Sequence, residues 1–338
     1  MRAYEFRQFG LEHLALVERD APRAAANEVV VKFHAASLNY RDLMFAKGVY
    51  NPRARLPAVP FSDGAGEVVS VGERVTRWKV GDRVCPIFTQ GWIEGGPTAQ
   101  KNRTALGAGD VDGVLREFGA FDESGLVAIP SHLSYEEAAT LPCAAVTAWN
   151  ALVEFGRVQA GDTVLTLGTG GVSVFAIQLA RAMGARPVVT SSSDDKLARA
   201  RELGADVLAN YATRPDWDAA VLEALGGRGV DAVIETGGQG TLPRSIAATR
   251  VGGAIALIGV LTSEPVPSLG PVLLNALTIH GVYVGSTAML RELIAAMDLH
   301  RIRPVIDRRF AFADAPAAYD HLRRQEHVGK VVITDESE

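Results

Sequence analysis

Thr163-Val-Leu-Thr-Leu-Gly-Thr-Gly-Gly-Val-Ser-Val-Phe-Ala-Ile-Gln-Leu-Ala180 is the stretch that decides the fold. Thr163 to Leu167 is short, apolar and β-branched, which reads as a buried strand. Gly168, Gly170 and Gly171 make a turn. Val172, Phe175, Ala176, Leu179 and Ala180 then recur at helical spacing. Strand, glycine turn and helix in this order form the first unit of a dinucleotide-binding sheet. Glycines let a pyrophosphate approach the backbone, and the helix N-terminus offers N–H groups and a positive dipole end. Ser173 stands where the fingerprint has its third glycine, and its small side chain keeps close helix–strand packing possible.

With 338 residues the chain is long enough for two domains with sizeable cores. Hydrophobic and charged contents of 48% and 22% are those of a soluble globular protein. A net charge of −5 gives no electrostatic case for nucleic acid or an anionic membrane as partner. The expected partner is a small-molecule substrate. Two cysteines, Cys85 and Cys143, are too few for a disulfide framework, so a reducing cytoplasm is expected. No apolar run reaches membrane-spanning length.

Residues 1–128 are strand-rich. Val29–Ala35, Gly66–Gly72 and Arg83–Phe88 are short strands divided by Gly, Pro, Asp and Asn. Residues 89–114 read as a long irregular loop, either a solvated surface segment or a lid. From Leu133 the pattern changes. Ser134 followed by Glu136 and Glu137 marks a helix start, and Ala144–Glu154 is an apolar helix. Strands then alternate with helices: six strands from Thr163 to Val284, the count of a doubly wound sheet. A helix over Met289–Leu299 and a final strand, Lys330–Thr334, follow. That strand is expected to rejoin the first domain.

Several stretches together resemble the medium-chain dehydrogenase/reductase superfamily over the whole chain. They are Val68-Val-Ser-Val-Gly with Val80-Gly-Asp-Arg-Val, Glu136-Glu-Ala-Ala-Thr-Leu-Pro-Cys, Gly168-Thr-Gly-Gly-Val, Leu203-Gly-Ala-Asp, Gly227-Gly-Arg-Gly-Val-Asp and Gly329-Lys-Val-Val. The resemblance implies an α/β protein with a GroES-like β-barrel substrate domain (1–128), a six-stranded Rossmann domain (129–285) and a return to the first domain (286–338). It also implies a homodimer, formed by pairing of the last Rossmann strand, Leu277–Val284, across a two-fold axis.

Zinc-dependent members of that family carry a Cys after the third strand, then Gly-His-Glu, then a second Cys. Here Asn39 holds the first position and Ser62-Asp-Gly replaces the His-Glu stretch. Only Cys143 remains, and one thiol cannot make a site that needs three protein ligands. No metal is expected, and the chain is similar to the zinc-free quinone oxidoreductase and enoyl reductase branch.

The cofactor expected is NADP (NADPH). NAD-specific sheets end the second strand with an acid that accepts from the ribose 2′-OH. Ser191 stands there, followed by Ser192, Ser193 and Lys196, groups that suit a 2′-phosphate. The resemblance places Tyr211 at the same phosphate. The alternative is that Ser191–Ser193 only cap the next helix. Gly168, Gly170, Gly171 and Val172 are expected at the pyrophosphate. By resemblance, Thr147, Gly259, Val260 and Gly285 lie around the nicotinamide, and Gly237 is a further cofactor-binding residue. Lys330 is read either as a cofactor contact or as one half of a surface salt bridge.

Catalysis then falls to Tyr50 and Asn39. Tyr50, in Lys47-Gly-Val-Tyr, matches the tyrosine of related enoyl reductases, as a proton donor or as a pocket wall. Asn39 is expected to hydrogen-bond the nicotinamide ribose or the substrate, and Asp42 to fix the local backbone. The function expected is reduction of a small activated alkene or a quinone. The alternatives are a zinc-free alcohol or carbonyl dehydrogenase and a non-catalytic NADPH-binding protein.

Overall fold

The computed structural model describes residues 1–262, 264 and 267–335. Two compact units emerge: Met1–Val146 with the chain from Val284 onward, and Thr147–Tyr283. The first unit begins with β1 (Arg2–Phe6), β2 (Leu14–Glu18), β3 (Glu28–Ser37), helix α1 (Tyr40–Ala46), β4 (Asp63–Val71) and β5 (Arg83–Pro86). A short α2 (Ala99–Asn102), β6 (Phe118–Asp122), β7 (Leu126–Ala128) and α3 (Tyr135–Ala138) follow. Strand β3 shows why such segments form strands. Val29, Val31 and Phe33 enter the core while Lys32 and His34 stay half-buried, a two-residue alternation. Ser134 starts α3 as read: its hydroxyl accepts from the Glu137 amide, and the Glu137 carboxylate accepts from the Ser134 amide.

The apolar helix expected over 144–154 spans Leu141–Phe155. Its middle, α4 (Val146–Trp149), is flanked by π-helical turns at Leu141–Ala145 and Asn150–Phe155. The second unit then runs β8 (Thr163–Leu167), α5 (Gly171–Ala182), β9 (Arg186–Ser191), α6 (Asp194–Glu202), β10 (Val207–Asn210), α7 (Trp217–Ala224), β11 (Val230–Glu235), α8 (Leu242–Ala248), β12 (Thr249–Leu257), α9 (Gly270–Leu274) and β13 (Thr278–Gly281). All pairings are parallel, in the order β10-β9-β8-β11-β12-β13. The order reverses between β8 and β11, the switch point at which open α/β sheets bind ligands. The six strands expected are all there, although the last is shorter than Leu277–Val284. Leu277, Val282 and Val284 are buried outside it, and Val284 ends the run at a positive φ of 41°.

The chain re-enters the first unit through α10 (Thr287–His300), β14 (Ile306–Ala311), α11 (Ala315–Arg324) and β15 (Lys330–Thr334). There β14-β15-β3-β4-β5-β7 form one sheet, with β6 also on β3. The final strand thus rejoins the first domain, antiparallel to β3, with Val332 opposite Ser37. By packing, the units divide at Val146/Thr147 and Tyr283/Val284 rather than at the expected 128/129 and 285/286. Helix α3 and the π turn Leu141–Ala145 pack on the β3–β4 face, so the first unit extends to Val146 and resumes at Val284. A change of composition marks a change of secondary structure, not of core.

Residues 89–114 are neither a wholly solvated loop nor a simple lid. Trp92 is buried, and the carbonyls of Trp92 and Ile93 accept the amides of Thr287 and Ala288 at the start of α10. Those are orphan donors of a helix N-terminus. Leu106 and Val114 lie in the core, and a Cβ on Gly113 would fall 2.1 Å from the Phe61 carbonyl oxygen. Only the segment from Glu94 to Gln100 stands continuously exposed.

Candidate active site

In the second unit, the expected cofactor residues cluster at the carboxyl ends of the parallel strands. Gly168–Val172 follow β8, Ser191–Ser193 end β9, Tyr211 follows β10, Gly237 follows β11, and Gly259 and Val260 follow β12. Gly168 has a φ of +72°, a region that strains any residue with a Cβ. A Cβ on Gly168 or Gly170 would meet nothing within 4 Å, so the turn lines open space. Ser173 is buried, and its hydroxyl donates to the Leu167 carbonyl at 2.8 Å. It closes the strand–helix joint that a third glycine would close by contact alone. Gly237 and Gly259 differ. A Cβ on Gly259 would sit 1.7 Å from the Thr236 carbonyl oxygen, and one on Gly237 2.3 Å from Thr241 Oγ1. These glycines serve close packing of the loops after β11 and β12.

Sequence reading missed what holds those loops. Glu235, fully buried, accepts from the amides of Gly237 (2.8 Å) and Gly238 (3.0 Å) and from the hydroxyls of Thr241 (2.6 Å) and Ser245. An acid at the end of a strand gives no sequence signal of this role, because its donors lie up to ten residues on. In the β9–α6 turn, Ser193 is the N-cap and accepts from the Lys196 amide. Ser191 is buried and accepts from the Ser193 amide, whereas Ser192 is exposed. Tyr211 is 42% exposed and its amide donates to the Ser191 carbonyl. Val260 is exposed and Thr147 buried.

The first unit gathers a second set. Strand β3 is flanked by β4 on one side and β15 on the other, with Asp63 and Val332 both opposite Ser37. That register carries Asp63 and Lys330 to the loop Leu38–Asn39. Lys330 is 3% exposed, not part of a surface salt bridge. Its Nζ donates to the Leu38 carbonyl at 2.6 Å and to Asn39 Oδ1 at 2.5 Å, and lies 3.7 Å from Asp63 Oδ2. Ser62 Oγ donates to the other oxygen of Asp63 at 2.8 Å. Asp42 accepts the Asn39 amide at 2.7 Å and pairs with Arg41 Nε at 3.3 Å, so it does fix the local backbone. Burial pushes both carboxyls up, Asp42 to about 6, against the pull of Arg41 on Asp42 and of Lys330 on Asp63. Burial also pushes the thiols up, Cys85 to about 12 and Cys143 further. Tyr50 packs against the core with the Arg41 guanidinium 5.4 Å from its ring centroid. A Cβ on Gly285 would meet Val146 Cγ2 at 2.5 Å, another packing glycine.

Comparison with known proteins agrees with both halves. Residues 25–131 match the family described as alcohol dehydrogenase GroES-like domain, and residues 171–298 the one described as zinc-binding dehydrogenase. A zinc-type alcohol dehydrogenase-like protein of Schizosaccharomyces pombe is 44% identical, with 96% of each chain covered. The crystal structure of a putative alcohol dehydrogenase from Sinorhizobium meliloti superposes with a TM-score of 0.93 at 40% identity, covering 98% of both chains. The chain belongs to the medium-chain dehydrogenase/reductase superfamily. It is an NAD(P)-dependent oxidoreductase with a nicotinamide-binding Rossmann domain. An acryloyl-coenzyme A reductase of Metallosphaera sedula is also 31% identical, over 93% of this chain and 94% of its own.

The superfamily implies a dinucleotide and, in part of it, zinc. The dinucleotide fits. The glycine turn faces open space at the start of the 12-residue α5. When bound, it supplies a transferable hydride. Gly168, Gly170, Gly171 and Val172 would hold its pyrophosphate, and the β9–α6 turn its adenosine ribose. Zinc does not fit the donors present. Of the three ligand places, Asn39 is engaged by an ammonium group, Ser62 offers only a hydroxyl that donates to Asp63, and desolvation pushes the half-buried Cys143 thiol up, toward its neutral form. Among the described residues, no three His, Cys, Asp or Glu side chains are grouped so as to hold a metal.

Proposed function

We propose that this oxidoreductase reduces a small activated alkene, an enone or its like, or a quinone, using NADPH and no zinc. The observation that supports this is the Lys330 ammonium, bound to Asn39 at the first zinc-ligand place of zinc-dependent relatives and facing Asp63, next to Ser62 at the second. Without a Lewis acid to polarise an isolated carbonyl, the favoured acceptor is one already activated by conjugation. Tyr50 serves as proton donor to the enolate that hydride addition creates, or water does in its place. Asn39, held by Lys330 and by the Asp42 cap, keeps a fixed orientation toward ribose or substrate. The similarity to an acryloyl-coenzyme A reductase points the same way.

A second reading, an alcohol or carbonyl dehydrogenase, is favoured by the similarity to a zinc-type alcohol dehydrogenase-like protein. One screen separates the two. Purified protein is assayed with NADPH and NADH against enones, quinones, aldehydes and alcohols, before and after exhaustive chelation. Enone or quinone turnover with NADPH, unchanged by chelation, is expected. Alcohol oxidation that disappears together with one zinc per chain would overturn the first reading. No turnover of any acceptor would leave a non-catalytic binding protein.

A further inference from the structure

We infer that the Lys330 ammonium is the built-in cation of the Asn39–Asp63 site: it balances Asp63, fixes Asn39, and keeps a divalent metal out. The inference deepens the metal-free reading above. Its basis is geometric. The β15–β3 register carries Lys330 beside Asn39, and the β3–β4 register brings Asp63 to the same place. Lys330 and Asp63 are 3% and 0% exposed, so neither charge is neutralised by water. A buried carboxylate of this kind needs an opposite charge, and removing one partner of such a pair costs far more than removing both. Two of the ammonium protons are committed to the Leu38 carbonyl and Asn39 Oδ1, which leaves Asn39 one orientation. The other charged groups around Asp63 and Lys330 are Arg41 and Asp42, which pair with each other, and the titratable thiols are Cys85 and Cys143. The four buried charges therefore sum to zero. A divalent ion added to that set would face a fixed ammonium and two neutral thiols.

Lys330 is a positioning residue on this account, and its test reads charge coupling rather than turnover. Thermal unfolding of full-length Lys330→Met, Asp63→Asn and the double variant is followed at pH 5.5 and pH 8. Breaking the pair should lower Tm by roughly 5–10 °C. The loss in Lys330→Met should be larger at pH 8, because the uncompensated Asp63 folds most readily when protonated. The double variant should recover at least half of the loss. Additive losses, or a Lys330→Met loss that is the same at both pH values, would overturn the inference. If Lys330→Met does not fold alone, the double variant decides: a folded double supports the coupling and an unfolded one refutes it. Zinc content gives an independent reading. After incubation with zinc sulfate and desalting, the wild-type chain should retain well under one zinc. The variant Asn39→Cys with Lys330→Met, which adds a thiol and removes the cation, should retain more. Wild-type protein holding one zinc would sink the inference. Chelation-resistant turnover combined with additive stability losses would remove only the role of Lys330 and leave the proposed reaction standing.

Discussion

The Arg41 guanidinium lies 4.5 Å from the ring centroid of Phe88 and 5.4 Å from that of Tyr50. A cation over two aromatic faces is an attractive contact. It anchors the Tyr50 ring from one side, while Arg41 itself is tied to the Leu106 carbonyl and paired with Asp42. A tyrosine held this way is suited to deliver a proton along one direction. Tyr50→Phe is therefore expected to lower kcat about a hundredfold, the loss of roughly 3 kcal/mol typical of one transition-state donor. NADPH affinity should stay nearly unchanged, since the effect is confined to the transition state. Steady-state kinetics with an enone checks the rate. Deuterium incorporation at the α-carbon in heavy water checks the face of protonation. Unchanged turnover with unchanged stereochemistry would make Tyr50 a pocket wall. At this scale Asn39 and Tyr50 were legible as candidates through resemblance, because the Leu-Asn-Tyr-Arg-Asp and Gly-Val-Tyr stretches are similar to those of related enoyl reductases. The partners of Asn39 were not, because Asp63 and Lys330 meet it only through strand pairing.

At the scale of elements, the β9–α6 turn divides its labour. Ser193 caps the helix, Ser191 turns inward, Ser192 is exposed and Lys196 is half-buried. Under the NADPH reading, Ser191→Asp should weaken NADPH binding by about tenfold or more, ~1.4 kcal/mol, and shift preference to NADH. Fluorescence titration with both cofactors measures it, and an unchanged preference would count against the phosphate assignment. The opposite, amino-terminal edge of the same sheet is held by one carboxylate. Asp231 accepts the Thr163 amide at the start of β8, both terminal nitrogens of Arg228, and Nε of Arg250 on β12. Burial alone would raise its pKa, but the Arg228 and Arg250 hydrogen bonds outweigh that and hold it at about 2. A depressed carboxylate stabilises the fold above its unfolded pKa, and that stability is lost as pH falls through the folded value. Asp231→Asn should thus cost roughly 1–2 kcal/mol at pH 7, and the difference should vanish between about pH 4 and pH 2. Denaturant melts across that range provide the check. A cost that persists undiminished at pH 2 would show that packing, not charge, is responsible.

At the scale of the whole molecule, β13 is the last strand of its sheet, with one backbone edge unpaired among the described residues. Leu273 and Leu274 on the neighbouring α9 are 81% and 82% exposed. An open edge beside exposed leucines is a surface that proteins normally cover. We expect a homodimer in which β13 pairs with its copy, an isologous contact that extends the sheet. Light scattering should give twice the chain mass at micromolar concentration, and Leu274→Glu should shift it toward the single chain. A monomeric wild type would refute the dimer. Among the described residues, no helix is long and apolar enough to cross a membrane.

Local pattern alone determined the Rossmann-type unit. The Thr163–Ala180 stretch, the strand–helix alternation after it and the glycine turn are all set by near neighbours: side-chain periodicity, capping and φ preference act over a few residues. The serine N-caps at Ser134 and Ser193 are local in the same sense. Only the tertiary structure decided where the first unit ends and what surrounds Asn39. The assignment of residues 129–146 depends on which sheet their helices cover, and the Lys330–Asn39–Asp63 cluster joins residues nearly three hundred positions apart. A lysine that reads as a surface residue from its neighbours becomes a buried one because β15 inserts beside β3. Its burial is tolerated because a carboxylate from β4 reaches the same point. Electrostatic compensation of that kind depends on distance in space, which strand register sets and the order of residues along the chain does not display.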